Sequence, residues 1–457
     1  MEFIFLPPIA IFILSFFKIN RIAMSLIALS IIFPAVYIFN NHFRNTLFFV
    51  DNLNAFVILV SSIVSIGISI GAISLKERIN LSEDEYKKFY RFYGIFWLGV
   101  IISILANNMG LFWIGLEFAT LSTVYMIKII PSKEAHNEAW KYLIVGAIAI
   151  ALILFGIILI YASGKANLGE NAMNFYILEA HTKSLKPFLF ELGFAIVATG
   201  MFIKMGFFPM NLWLADIERQ SIYPVGALFS GILESAIILG FFRFSKIAME
   251  VNYSHLIAFT YIYALFTLFI VSFLIYRSKD YIRLFSLSGI EHMTLISIFW
   301  VSGGYFAALL HFAAHAFFKP ALFLSGSVIE QNGKFRFKGS LNIPVMGKIL
   351  ISALLLGIVS LPPSPMFFSE IFGFKSMIDL AKNSEYFGVM IFTIFLILVF
   401  LSVIFYKFVN IFQEGVYSYG KKGDVKKSEY LMLIWFIIAL SVLILPNTFN
   451  YLEGIVK

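Results

Sequence analysis

Apolar runs separated by short polar connections make up almost the whole chain. Fourteen such runs stand near residues 3–17, 22–39, 53–75, 92–106, 109–130, 139–161, 187–209, 223–244, 255–276, 283–302, 305–330, 344–380, 387–411 and 430–448. About 20 apolar residues cross a bilayer as a helix, so the pattern predicts an all-α polytopic membrane protein with about 14 transmembrane helices. The first run is short and carries Pro7 and Pro8. The twelfth is too long for one span and holds Pro362, Pro363 and Pro365 in its middle, which predicts a broken helix. The seventh is interrupted in a similar way, since Lys204 is followed by Gly206 and Pro209. Interrupted helices at corresponding positions of two halves mark inverted repeats. The two breaks lie five segments apart, an odd number. Two five-helix repeats of opposite orientation, 92–244 and 255–411, are therefore expected within one transmembrane domain over 1–457.

The longest connections, 75–91, 163–186 and 413–430, are too short to fold alone. The middle one is partly apolar and is expected to form a short interfacial helix. No cleavable signal is expected, because the first run lacks a basic leader and a small-residue cleavage site. At 60% hydrophobic and 13% charged residues the chain lies far from soluble globular composition. Its net charge of +8 would point to nucleic acid in a soluble protein, but here the placement of the charges decides. The odd-numbered connections carry 23 Lys and Arg against 9 on the opposite side, and only Lys204 and Lys319 of the 34 remain. The positive-inside rule then predicts a multi-pass plasma-membrane protein with both termini outside, partnered by lipid and not by nucleic acid. Cysteine is absent, so the chain cannot form a disulfide, ligate a cluster through thiolates or use a catalytic thiol. No cofactor is expected on it, and any redox centre must lie in a partner.

Lys204 and Lys319 each sit in hydrocarbon-like surroundings, AIVATGMFIKMGFFPM and HFAAHAFFKPALFLSG. A charge at the bilayer centre costs roughly 2.5–3.5 kcal/mol on insertion scales, and chains that keep such groups use them for ion or proton pathways. Glu117, Glu234 and Glu370 share the predicament. His311, His315 and Lys319 are spaced i, i+4, i+8, and so line one helix face and can pass a proton. Pro320 removes a backbone bond beside them. Histidines that only bond neighbouring helices are the plain alternative. A zinc site is a third, but His-Phe-Ala-Ala-His lacks the metalloprotease glutamate. Glu117 and Lys204 can form a pair whose approach and withdrawal switch the lysine charge; a static buried pair is the alternative. Glu234 fits either the path or a protonated, hydrogen-bonded acid. Lys128 and Lys407 lie near segment ends and can snorkel. Asp51, Asp216 and Glu218 lie in connections and are expected to be solvated, although Asp216 follows the segment-seven break directly.

In that order, WIGLEFATL with Glu117, IKMGFFPMNLWLADIE with Lys204, HFAAHAFFKPALFLSG with His311, His315 and Lys319, and GIVSLPPSPMFFSEIF with Glu370 resemble a known family. It comprises the proton-translocating antiporter-like subunits of respiratory complex I, Mrp sodium/proton antiporters and membrane-bound hydrogenases. The resemblance covers roughly residues 50–410. Ile290–Glu291–His292–Met293 is most similar to the hydrogenase-4 component F group and adds Glu291 and His292 to the candidates. Two departures stand out. The family usually has Ala-His and a Pro-rich turn after Trp-Leu-Ala-Asp, where Ile217–Glu218–Arg219–Gln220 stands here, and Glu234 replaces a commoner lysine or neutral residue.

The resemblance implies a proton-channel subunit with no active site of its own. Its partners would be other membrane subunits and a peripheral redox module, a nickel–iron hydrogenase or a related dehydrogenase. Protons would be the cargo, with sodium as a second candidate. Rival readings are an Mrp-type antiporter subunit, an inorganic-carbon uptake partner and a stand-alone secondary transporter.

Overall fold

The structure, a computed structural model, describes residues 2–17, 28–79, 81–210, 212–329, 342–385, 387–416 and 424–456. The start of the second predicted run, and basic residues of its flanking and two later connections, lie outside these. Two compact units share the chain. Met1–Ser62, Ser82–Trp213 and Ile232–Tyr261 form the first, and Ile63–Leu81, Leu214–Gly231 and Ile262–Lys457 the second.

In chain order the first unit contains α1 (Leu6–Leu14), α2 (Ile32–Asn40), the start of α3 (Asn52–Ile79), α4 (Glu83–Leu105), α5 (Met109–Ile127), α6 (Lys133–Leu168), α7 (Phe175–Ala180) and α8 (Pro187–Lys204). The cap residues fix where several begin. Ser82 and Glu85 exchange bonds in a capping box at α4, Asn108 accepts from the amides of Gly110 and Leu111 at α5, and Ser132 caps α6. The helix expected within 163–186 is α7, flanked by short 3-10 turns.

Small residues set the spacing between the charge-bearing helices and their neighbours. A Cβ on Gly156 of α6 would lie 2.6 Å from the Gly193 carbonyl of α8, and one on Gly115 of α5 would lie 2.6 Å from the Ser103 amide of α4. The backbones touch, as is usual where lipid supplies no hydrophobic drive between helices. Gly156→Leu should force α6 and α8 apart at a cost of about 1–3 kcal/mol or more, read as a lower melting temperature of the solubilised protein. An unchanged melting temperature would show that α8 is not held this way.

Asp51 is not simply solvated, as the sequence led us to expect. Arg243 of α11 (Glu234–Arg277) reaches it at 2.6 Å, also bonds Asn54, and stacks over Phe49. Burial raises the Asp51 carboxyl, but the Arg243 charge and hydrogen bond outweigh it, and the acid stays below the usual carboxylate range.

The second unit contains α9 (Leu212–Gln220), α10 (Tyr223–Leu228), α12 (Tyr281–Val301), α13 (Tyr305–Ile329), α14 (Val345–Ile358), α15 (Pro365–Lys382), α16 (Phe387–Val416), α17 (Lys427–Leu443) and α18 (Pro446–Val456). The best spanning windows of α12 and α13 are 100% buried, against 28% for α16. A helix that is apolar all round and buried all round belongs at a unit's centre, and these two carry Glu291, His292, His311, His315 and Lys319. Asp280 caps α12 through the Arg283 amide, and Ser364 followed by Pro365 starts α15. The predicted breaks are present: α8 ends at Lys204 and α9 begins at Leu212, while α14 ends at Ile358 and α15 begins at Pro365.

Among the described residues nine helices are long and apolar enough to span, or ten if α17 and α18, bent by 70°, count as one. The difference from fourteen has local causes. Phe3–Leu14, Leu29–Phe39 and Val345–Ile358 are short, and residues 223–277 run as one element despite the non-helical backbone of Asn252.

Candidate functional site

The first unit builds one cluster around Lys204. Glu117, Thr120 and Thr123 follow each other at three-residue spacing along one side of α5. Lys204, at the last position of α8 and only 6% exposed, donates to Thr120 Oγ1 at 2.6 Å. Thr120 gives its own proton to the Leu116 carbonyl, so it accepts from the lysine. Thr123 gives its proton to the Thr120 carbonyl, so Tyr142 OH, 2.9 Å away, donates to Thr123. Tyr142 stacks on Trp213 at 5.4 Å. Glu117 is half-buried, its charge acts on Lys204, and its Oε2 has no hydrogen bond among the described residues. No nitrogen–oxygen contact within 4 Å joins Glu117 to Lys204. The lysine thus rests on a hydroxyl one turn away from the acid.

The second unit builds another cluster between α12, α13 and α15. His311, His315 and Lys319 of α13 are fully buried. His292 Nδ1 lies 3.1 Å from His311 Nε2, and His311 Nδ1 lies 2.8 Å from Ser369 Oγ. Ser369 donates to the Met366 carbonyl and must therefore accept from His311 Nδ1–H. His311 Nε2 is then the acceptor and His292 Nδ1 the donor, an assignment made from the network. One polarity runs through the row, from His292 through His311 to Ser369. His292 Nε2 faces Glu291 Oε2 at 3.6 Å, too far for a hydrogen bond. The His315 ring lies 5.6 Å from that of His292.

Lys319 lies against α12 where that helix has no side chain. A Cβ on Gly289 would come within 3.1 Å of Lys319 Cε and 3.9 Å of His315 Nε2. On the second unit's other break, Ser360 adopts a left-handed backbone with φ of 61° and donates to Glu370 Oε1. A cavity of about 390 Å³ is lined by Glu291, Ser360, Phe367, Glu370, Leu401 and Ser402, among others. Glu291 and Glu370 therefore face one space.

The remaining candidates fall elsewhere. Glu234 is buried at the start of α11, directly after one π-helical turn, Phe229–Leu233. Asp216 is half-buried on α9. Glu218 corrects an expectation: it is 3% exposed instead of solvated, because residues 212–220 fold as a helix whose inner side it occupies. Sequence reasoning also missed Thr120, Tyr142, Ser286, Gly289, Ser360 and Ser369. Hydroxyls and glycines in apolar helices are common, and only the nearness of Thr120 to Glu117 and of Ser369 to Glu370 along the chain offered a signal.

An all-α polytopic fold with buried lysines, histidines and acids on broken and fully enclosed helices defines an antiporter-like membrane subunit. Residues 106–402 match the transmembrane family described as NADH:quinone oxidoreductase/Mrp antiporter, and the chain belongs to that family. The hydrogenase-4 component F homolog of Methylacidiphilum infernorum is 32% identical over 389 residues, 80% of this chain and 81% of that one. The fold matches a chain of the membrane-bound sulfane sulfur reductase, an archaeal respiratory membrane complex, with a TM-score of 0.83, 16% identity and coverage of 99% and 95%. It also matches a chain of respiratory complex I from Thermus thermophilus, with a TM-score of 0.79, 18% identity and coverage of 99% and 97%.

Proposed function

We propose that this antiporter-like subunit translocates protons within a multi-subunit, hydrogenase-linked respiratory complex of the plasma membrane, with a nickel–iron or related redox module as its partner. The similarity to a hydrogenase-4 component F homolog supports that setting. The reading includes fourteen spans, two inverted five-helix repeats over 92–244 and 255–411, and both termini outside. Lys204 with Glu117 serves proton uptake, His311, His315 and Lys319 carry the proton onward, and Glu370 releases it. Glu291 and His292 lie beside that route.

One observation carries the reading above a static scaffold. The row His292–His311–Ser369 is hydrogen-bonded with a single polarity across three helices, and its two ends are next in the chain to Glu291 and Glu370, which line one cavity. A proton taken up at His292 Nε2 can leave from Nδ1 to His311 Nε2, and His311 can pass its Nδ1 proton on. Each imidazole accepts on one nitrogen and donates from the other. Histidines that only pack two helices together would need no continuous row of bonds over three.

Glu370→Gln keeps size and hydrogen bonding but cannot titrate. In the complex reconstituted in liposomes, proton pumping should fall about 100-fold or more, within the range of a lost acid–base group, with assembly intact. Unimpaired pumping would leave Glu370 only a structural bond to Ser360.

A further inference from the structure

Glu218 is a buried carboxyl outside the groups assigned above, placed by the short helix after the first break. Its Oε2 makes no hydrogen bond among the described residues. The Ser286 hydroxyl of α12 stands against its carboxyl, and the charge of Lys319 reaches it. Ser286 and Gly289 are one helical turn apart on the same side of α12. Glu218 thus meets α12 at Ser286 while Lys319 meets it at Gly289, and the acid and the amine bracket a single turn. They are not in contact, since no nitrogen–oxygen pair within 4 Å joins them. The missing side chain at Gly289 lets the lysine pack directly on the backbone of that turn.

The geometry points to Glu218 as the acid that exchanges a proton with Lys319, as Glu117 is proposed to do for Lys204. This inference rests on the proton-path reading and adds a residue to it. In the step, Lys319 Nζ gives one proton to Glu218 Oε2; the ammonium becomes an amine and the carboxylate an acid, so the total charge of the pair is unchanged. The return step reloads the lysine. A hydrogen-bonded carboxylic acid with a purely structural role would anchor α9 to Ser286 and never change its proton.

The test uses the assembled complex in proteoliposomes, driven by its own redox substrate, with proton pumping measured per complex. Glu218→Gln should lower pumping at least tenfold. Glu218→His, which restores a titratable group, should recover at least a third of the wild-type rate. Glu218→Gln combined with Lys319→Met should be no worse than Lys319→Met alone, as expected of two groups acting as one unit. Pumping by Glu218→Gln within twofold of wild type, while Lys319→Met is inactive, overturns this inference and leaves the path standing. An assembled Glu218→His variant no better than Glu218→Gln overturns it too. Wild-type pumping by Lys319→Met overturns the path itself.

If Glu218→Gln fails to assemble, dicyclohexylcarbodiimide on the wild-type complex decides, because it modifies carboxyls in their protonated form. An adduct on the peptide containing Glu218 whose yield differs between the resting and the turning-over complex supports the exchange, and an adduct of constant yield shows a permanently protonated acid and overturns it. Modification of Glu370 with none at Glu218 overturns it.

Discussion

Lys319→Met should reduce proton pumping by the reconstituted complex at least 100-fold, whereas His311→Ala or His315→Ala alone should cost roughly tenfold. The difference follows from what each group supplies. An imidazole in a row passes a proton between a donor and an acceptor, and a water molecule of similar reach can do the same. His311 bonds Ser369 and His292 within 3.1 Å, so its removal opens a polar gap that water can bridge. The ammonium of Lys319 has no such substitute, because water does not carry a positive charge that can be switched off. Methionine keeps the length and apolar stem, so folding should survive. If Lys319→Met pumps normally while a histidine variant fails, the roles are reversed and the row, not the lysine, is the switching element.

Gly289 provides a check on the same geometry. Gly289→Val would put two methyl groups where Lys319 Cε now lies at 3.1 Å from the position of a Cβ. The lysine tip must then leave that turn of α12, and pumping should fall with assembly kept. The small residue was legible in the sequence only as one glycine among 30. Its meaning depends on which helix stands opposite, and periodicity does not report that.

The candidate groups divide along the same line. Lys204, Lys319, His311 and His315 could be read from the chain because a polar side chain inside an apolar run has to be explained locally. The breaks at 205–211 and 359–364 were legible because proline and glycine act on their own backbone. Glu218 was misread for the opposite reason. Residues 212–220 are mixed in character, with Asp216, Glu218 and Arg219 close together, and nothing local distinguishes a solvated connection from a re-entering half-helix. Burial of that carboxyl is decided by α12, some 70 residues away. The row His292–His311–Ser369 likewise joins three helices. His292 was visible singly and His311 as part of a helical ladder, whereas Ser369 and the bonds that join the three were not.

Lys204→Ala should abolish proton pumping while leaving the complex assembled. In the structure the lysine donates to Thr120 and stops one turn short of Glu117. Two opposite unit charges brought to about 4 Å attract by about 4 kcal/mol at an effective dielectric near 20. One helical turn further apart, at about 8 Å, the attraction is about 2 kcal/mol, so the move is worth about 2 kcal/mol and alters proton binding roughly 30-fold. Moving the lysine between hydroxyl and carboxylate therefore biases its loading and unloading. Alanine leaves the position apolar on a helix whose packing rests on Gly156 and Gly193 and not on the charge. Thr120→Val separates this from a static ion pair. Without the hydroxyl the lysine has only Glu117 to meet, so it should stay paired and pumping should fall about tenfold, although both charged groups are still there. If Thr120→Val and Lys204→Ala both pump at the wild-type rate, Glu117 and Lys204 are no part of the path.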